Sequence, residues 1–168
     1  MHDKIMSNMT RKTHFLHKRG KTLDIIQATL KELDDVTALF NDYRIFYGQP
    51  SDRESAKEFI AARIRGNESV IFLAIDGKKP LGFVQLYPIF TSVGMKRKWL
   101  LNDLFVNESS RRHGVGRALM NQAKQFAMET NSAGILLETA KDNHKAQALY
   151  ESLDYEKEDS VFFYTLSI

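Results

Sequence analysis

Arg111-Arg112-His113-Gly114-Val115-Gly116-Arg117 stands five residues after Leu104-Phe105-Val106 and directly before Ala118-Leu119-Met120. Lys98 to Val106 reads as a strand. From Val115 on, Ala118, Leu119, Ala123, Phe126 and Ala127 recur at helical spacing to about Thr130, so the seven residues join a strand to a helix start. A helix start offers backbone N–H groups without intrahelical partners and the positive end of the helix dipole. Gly114 and Gly116 lack a Cβ, which lets the chain bend sharply and approach an anion closely. Arg111, Arg112 and Arg117 add charge. Together these features make a site for a pyrophosphate. A solvated basic turn explains the seven residues by themselves equally well. The rival nucleotide motifs fit worse. A Walker loop needs Gly-Lys-Ser/Thr, and the dinucleotide fingerprint needs a third glycine where Leu119 stands.

Outward from this stretch the chain alternates between strand and helix patterns. Thr22 to Thr29 predicts a first strand. Leu30, Leu33, Val36, Phe40 and Tyr43 predict a first helix. Ser51 or Asp52 can cap a second helix with Ala56, Phe59, Ile60 and Ile64 on its apolar face, ended by Gly66-Asn67. Ser69 to Ile75 and Leu81 to Tyr87 flank the hairpin signal Asp76-Gly77, and Pro88 is expected to end regular pairing. Thr91 to Gly94 turns into the Lys98 to Val106 strand. After the long helix come a short strand, Gly134 to Thr139, a helix, Asn143 to Leu153, and a closing strand, Phe162 to Ser167, with room for one more strand near Tyr155. The expectation is an α/β fold with a mixed, mostly antiparallel sheet. The strands around the long helix should be parallel through a right-handed crossover.

The length of 168 residues fits one domain. Domain limits are expected at 1–21 for a basic extension and 22–168 for the folded body. Residues 1–22 hold six Lys or Arg residues against Asp3 alone, while the whole chain is +3, so the body is slightly acidic. The extension reads as disordered and dispensable. It has few aromatic residues, which makes nucleic-acid binding unlike what the sequence suggests. No apolar run approaches a membrane span, so no membrane partner is expected. The absence of cysteine excludes disulfide frameworks, thiolate zinc sites and a cysteine nucleophile, and favours the cytoplasm. His113 and His144 have no companion at metal-ligand spacing, and no metal is expected.

Three motifs now stand in register. Arg111-x-x-Gly114-x-Gly116 resembles the (Gln/Arg)-x-x-Gly-x-(Gly/Ala) signature of the GNAT superfamily of N-acetyltransferases. Asn102-Asp103-Leu104-Phe105-Val106 resembles that family's fourth strand. Asn143-x-x-Ala146-x-x-Leu149-Tyr150 resembles its late helix, with Leu153-Asp154-Tyr155 where the family often has Leu-Gly-Tyr or Leu-Gly-Phe. The resemblance runs from Leu23 to Ile168. It implies a sheet splayed between strands four and five, with acetyl-CoA as cosubstrate in the gap. Backbone groups of Leu104, Phe105 and Val106 would pair with its pantetheine arm. Residues Arg111, Arg112, His113, Gly114, Val115, Gly116 and Arg117 would hold its pyrophosphate, and Asn143 and Ala146 would lie along the arm.

The same resemblance implies acetyl transfer to an amine. Such an amine must lose a proton, because an alkylammonium has a pKa near ~10.4 and no lone pair. Tyr150 is the expected general acid for the departing thiolate, its reading as a core tyrosine being the alternative on periodicity alone. Asp103 is the expected base, or a group that attracts a cationic substrate. Asn102 and Asp103 are expected to point to opposite faces of the strand. Tyr47 and Tyr87, in two aromatic stretches, are expected to line the acceptor site, since aromatic faces suit cations. The acceptor expected is a small amine, polyamine-like or an amino-acid amine. A protein or peptide amine, or a non-catalytic acyl-CoA-binding module, are the alternatives. A homodimer is expected, through exposed aromatics near Phe46, Tyr47 and Phe90.

Overall fold

Thr29 begins the first helical region because its hydroxyl accepts from Lys31 N–H while Glu32 returns a bond to the Thr29 N–H, closing a capping box. A 3₁₀ turn, Leu30–Glu32, leads into α1, Leu33–Phe46. Asp52 caps α2, Arg53–Arg65, by accepting from Ser55 N–H, and Gly66 ends it. The computed structural model describes residues 12–16 and 22–168. Its strands are β1 (Lys12–Leu16), β2 (Thr22–Gln27), β3 (Val70–Asp76), β4 (Lys79–Thr91), β5 (Lys96–Val106) and β6 (Ile135–Leu137), in the sheet order β1-β2-β3-β4-β5-β6. All neighbours are antiparallel except β5 and β6, which are parallel and joined through α3, Val115–Glu129. β5 and β6 are the fourth and fifth strands of the sequence reading. The mixed sheet flanked by helices agrees with that reading.

The core lies on both sheet faces. Ile71, Leu73, Phe83 and Phe105 pack with Val36, Leu39 and Phe40 of α1 and Ile60 of α2. On the opposite face Phe72 and Trp99 meet Phe126 of α3, at 5.4 and 5.0 Å between ring centres. The Trp99 indole N–H also donates to Thr130 Oγ1, which ties the α3 end to β5.

Four local expectations change. The basic extension carries a strand, β1, paired with β2 from Lys12↔Ile26 to Leu16↔Thr22. The rest of that extension lies outside the described residues. β4 does not stop at Pro88 but runs to Thr91, with Pro88 opposite Trp99. β3 ends opposite Leu86, so beyond it β4 has an open edge on that side, where a residue without an N–H costs no ladder bond. No strand forms at Phe162 to Ser167 or near Tyr155. A strand requires a hydrogen-bonded neighbour, and among the described residues no strand pairs with this segment.

The chain divides into two compact units, one ending at Leu137 and a smaller one from Glu138 to Ile168. The smaller unit contains α4, His144–Glu151, capped by Asn143, whose side-chain oxygen accepts from Ala146 N–H at 3.3 Å. Asp154, just past α4, adopts φ +66°. This left-handed conformation accounts for glycine at the matching place of the family pattern, and Asp is among the few other residues that tolerate it.

Candidate active site

The site begins with a mismatch in strand length. β5 pairs with β6 only over Trp99↔Ile135 to Leu101↔Leu137, then continues to Val106. Among the described residues no strand pairs with β5 on that side over 102–106. This is the splay that the sequence implied, and it leaves Leu104, Phe105 and Val106 with an edge able to accept an extended ligand chain.

At the end of this edge the chain turns through a 3₁₀ turn, Glu108–Ser110, into α3. Arg112 has φ +62° and Gly114 φ +80°. Alternating left-handed residues before a helix curl successive amides toward one point, an arrangement suited to an anion. A Cβ on Gly114 would meet no atom within 4 Å, so the glycine is required by its φ and not by crowding. The first bond within the helix runs from Ala118 N–H to the Gly114 carbonyl, so the Val115 and Gly116 N–H groups point out of its start. Arg112, His113 and Arg117 are exposed around this turn, while the Val115 side chain is buried and contributes backbone alone. Arg111 faces elsewhere. Its Nε donates to the Val106 carbonyl at 3.0 Å, and its guanidinium lies 5.5 Å from the Phe46 ring centre and 6.0 Å from that of Phe105. In this structure Arg111 closes the loop onto β5.

The middle of β5 holds a β-bulge. Gln85 pairs with Asp103 and Leu86 with Leu101, which leaves Asn102 as the extra residue. The bulge reverses the inside-outside alternation: Trp99 faces α3, whereas Phe105 faces Tyr43 of α1 at 6.2 Å. Asn102 is exposed, whereas Asp103 is buried. A bulge suspends the period-2 rule, and the Asn102 side-chain amide donates to Asp103 Oδ1 at 3.2 Å.

Asp103 thus enters a half-polar space on the α1 and α2 face. Its carboxyl is raised above its ordinary pKa, chiefly by burial, against the opposing hydrogen bonds of Asn102 and Tyr43. Tyr87 is pushed up to about 12, first by burial and then by the negative charge of Asp103. Gln85, opposite Asp103, is fully buried. Its Nε2 donates to Ser69 Oγ at 2.7 Å, while its Oε1 has no protein partner among the described residues. Tyr47 caps α1 and stacks edge-on against Tyr43 at 4.9 Å, one ring removed from Asp103. The structure therefore brings Asp103 and Tyr87 together. Tyr43 and Gln85 complete the cluster: Tyr43 stands on the apolar face of α1 and in the same aromatic stretch as Tyr47, whereas Gln85 is not among the expected site residues. An interior Gln among Phe83, Val84 and Leu86 was the available signal.

In the smaller unit Asn143 and Tyr150 are seven residues apart, two turns of α4, on one side of the helix. Ala146 lies between them. The Tyr150 carbonyl accepts from Leu153 and Tyr155 N–H, and the two tyrosine rings lie 6.1 Å apart. Among the described residues no cluster of His, Cys, Asp or Glu is placed to hold a metal, and no helix is long and apolar enough to cross a membrane.

Comparison with known proteins accords with this geometry. The acetyltransferase (GNAT) family profile matches residues 36–155. An uncharacterized N-acetyltransferase of Bacillus subtilis is 40% identical over 146 residues, 87% of this chain and 98% of that protein. A probable acetyltransferase of Haemophilus influenzae is 33% identical over 123 residues, 73% of this chain and 84% of that protein. The crystal structure of a probable acetyltransferase, 44% identical, superposes with a TM-score of 0.82 over 86% of this chain and 97% of its own. A splayed sheet edge, a glycine-opened helix start beside it and these similarities converge: the chain is an acetyltransferase enzyme and belongs to the GNAT family.

Proposed function

We propose that the enzyme transfers the acetyl group of acetyl-CoA to the primary amine of a small cationic molecule, polyamine-like or an amino-acid amine. The observation that carries the cosubstrate is the open edge of Leu104 to Val106 leading into the left-handed Arg112 and Gly114 turn. An extended amide-bearing arm suits the first, and a pyrophosphate suits the amides of Arg112 to Arg117. Arg111 ties that turn to β5 through its bond to the Val106 carbonyl. Asn143 and Ala146 are assigned to the cofactor arm by their motif positions.

Acetyl-CoA supplies an acetyl group activated on sulfur. The chain's own residues manage protons and charge around it. Asp103 takes the proton of the incoming ammonium, directly or through water, and its raised affinity for protons suits it to that exchange. A backbone N–H near Phe105 or Val106 donates to the acetyl oxygen as negative charge grows there. Tyr150 gives its hydroxyl proton to the departing thiolate; this assignment rests on its place two turns after Asn143. Tyr47 and Tyr87 flank the acceptor, with Asp103 as a carboxylate drawing a cation toward them. A cytoplasmic homodimer contacting through the exposed α1 end, Phe46 and Tyr47, completes the proposal.

Gly116→Glu tests the cradle. Bulk and negative charge at the helix start should abolish acetyl-CoA binding in calorimetric titration while leaving the melting temperature close to that of the wild type. Unchanged affinity would remove the cofactor from this turn.

A further inference from the structure

The hairpin joining β4 and β5 extends beyond the rest of the antiparallel sheet. β3 ends opposite Leu86, so Tyr87 to Thr91 pair with β5 alone. At the tip Val93 and Met95 are 98% and 90% exposed, and Phe90 on the β4 arm is 72% exposed. The returning strand opens with Lys96-Arg97-Lys98, of which Lys96 and Arg97 are exposed, the Arg97 guanidinium lying over the Phe90 and Trp99 rings. No Asp or Glu occurs anywhere from Gly77 to Asn102. An apolar tip is therefore followed directly by three cations, with no acid in the hairpin to neutralise them.

We propose that this hairpin tip is a docking surface for an anionic lipid bilayer, with Val93 and Met95 entering the headgroup boundary and Lys96 and Lys98 facing the lipid charges. Exposed aliphatic side chains and adjacent cations are the two components of interfacial binding, and neither requires a spanning helix. Other occupants fit less well. A two-fold contact between copies would set the Lys96 to Lys98 cluster against itself, where like charges repel. Single-stranded nucleic acid needs open aromatic faces, yet the tip is aliphatic and the Phe90 ring already carries the Arg97 guanidinium at 5.8 Å. A stable protein interface engages roughly 20–30 residues a side, far more than this tip presents. A bilayer accepts a few scattered apolar side chains without matching their shape.

Cosedimentation of the whole chain with vesicles tests the proposal. The wild type should sediment with phosphatidylglycerol vesicles, much less with phosphatidylcholine vesicles, and less as salt rises. Each cation near such a surface contributes roughly fivefold in affinity, so Lys96→Glu with Lys98→Glu should weaken binding by more than about tenfold. Val93→Glu with Met95→Glu should weaken it comparably. Val93, Met95 and Lys96 are exposed and Lys98 is half-buried, so both double variants should melt close to the wild type, which separates loss of docking from loss of fold. A wild type that stays in solution with phosphatidylglycerol overturns the proposal. Variants that sediment like the wild type also overturn it and move the contact to another basic segment, such as residues 1–22. A hairpin-dependent change of mass without vesicles, or tighter hairpin-dependent binding of an oligonucleotide at the same salt, assigns the surface to a second copy or to nucleic acid instead. Acetyl transfer does not depend on any of these outcomes.

Discussion

Asp103 keeps its proton more firmly in the folded chain than in water, because burial disfavours the carboxylate more than Asn102 and Tyr43 favour it. Linkage fixes the sign of the consequence. The group's contribution to stability is fully present below the unfolded carboxylate pKa and is lost as pH rises through the folded one. Asp103→Asn cannot ionise, so its melting temperature relative to the wild type should be higher at pH 8 than at pH 4. A difference independent of pH would mean that Asp103 is not held in a raised state. Tyr150 is tested by removing one atom. Tyr150→Phe keeps the ring but loses the hydroxyl, so kcat should fall by about 10²–10⁴-fold with acetyl-CoA affinity little changed. Normal turnover would leave Tyr150 as packing. At this scale sequence reasoning found the residues whose chemistry is unusual for their setting: a carboxylate inside a strand, glycines before a helix. Tyr43 falls in the aromatic stretch expected at the acceptor site, but a tyrosine at helical spacing is indistinguishable from core until the strand beneath it is known. Period-2 alternation has no means of announcing the residue inserted at Asn102.

The elements were legible where local chemistry forces them. Asp52 caps α2, Asn143 caps α4, and Gly77, with φ +61°, turns β3 into β4, each a case of one residue satisfying one backbone demand. Elements that depend on a distant partner were less legible. β1 exists because β2 offers it an edge, and β4 passes through Pro88 because β3 has already ended. The apolar run from Val161 to Ile168 has the composition of a strand without the pairing of one. Gly82 shows how closely two elements are fitted at the site. A Cβ there would lie 2.5 Å from the Phe105 carbonyl oxygen and 3.1 Å from Val106 Cα. Gly82→Ala must therefore push β5 aside at the residues proposed to pair with the cofactor arm. Overpacking of this kind costs about 1–3 kcal/mol, so the melting temperature should drop. The KM for acetyl-CoA should rise more than kcat falls. A variant with wild-type stability and KM would show that β5 is free to yield there.

As a whole molecule the chain matches the GNAT profile from residue 36 to 155 and its Bacillus subtilis relative over most of its length. Phe46 and Tyr47, each 61% exposed at the α1 end, are the surface on which association through aromatic contact is expected. Light scattering at micromolar protein should then give about twice the 19.3 kDa chain mass. A mass near that of one chain would leave the acceptor site to a single protomer. The central claim, acetyl transfer to a small cationic amine, is tested most directly by thiol release from acetyl-CoA in the presence of a panel of polyamines, amino acids, peptides and aminoglycosides. Saturable thiol release is expected with small primary amines that carry positive charge, and little with neutral or anionic ones. Tight acetyl-CoA binding without thiol release on any amine, or release confined to peptides, would contradict it.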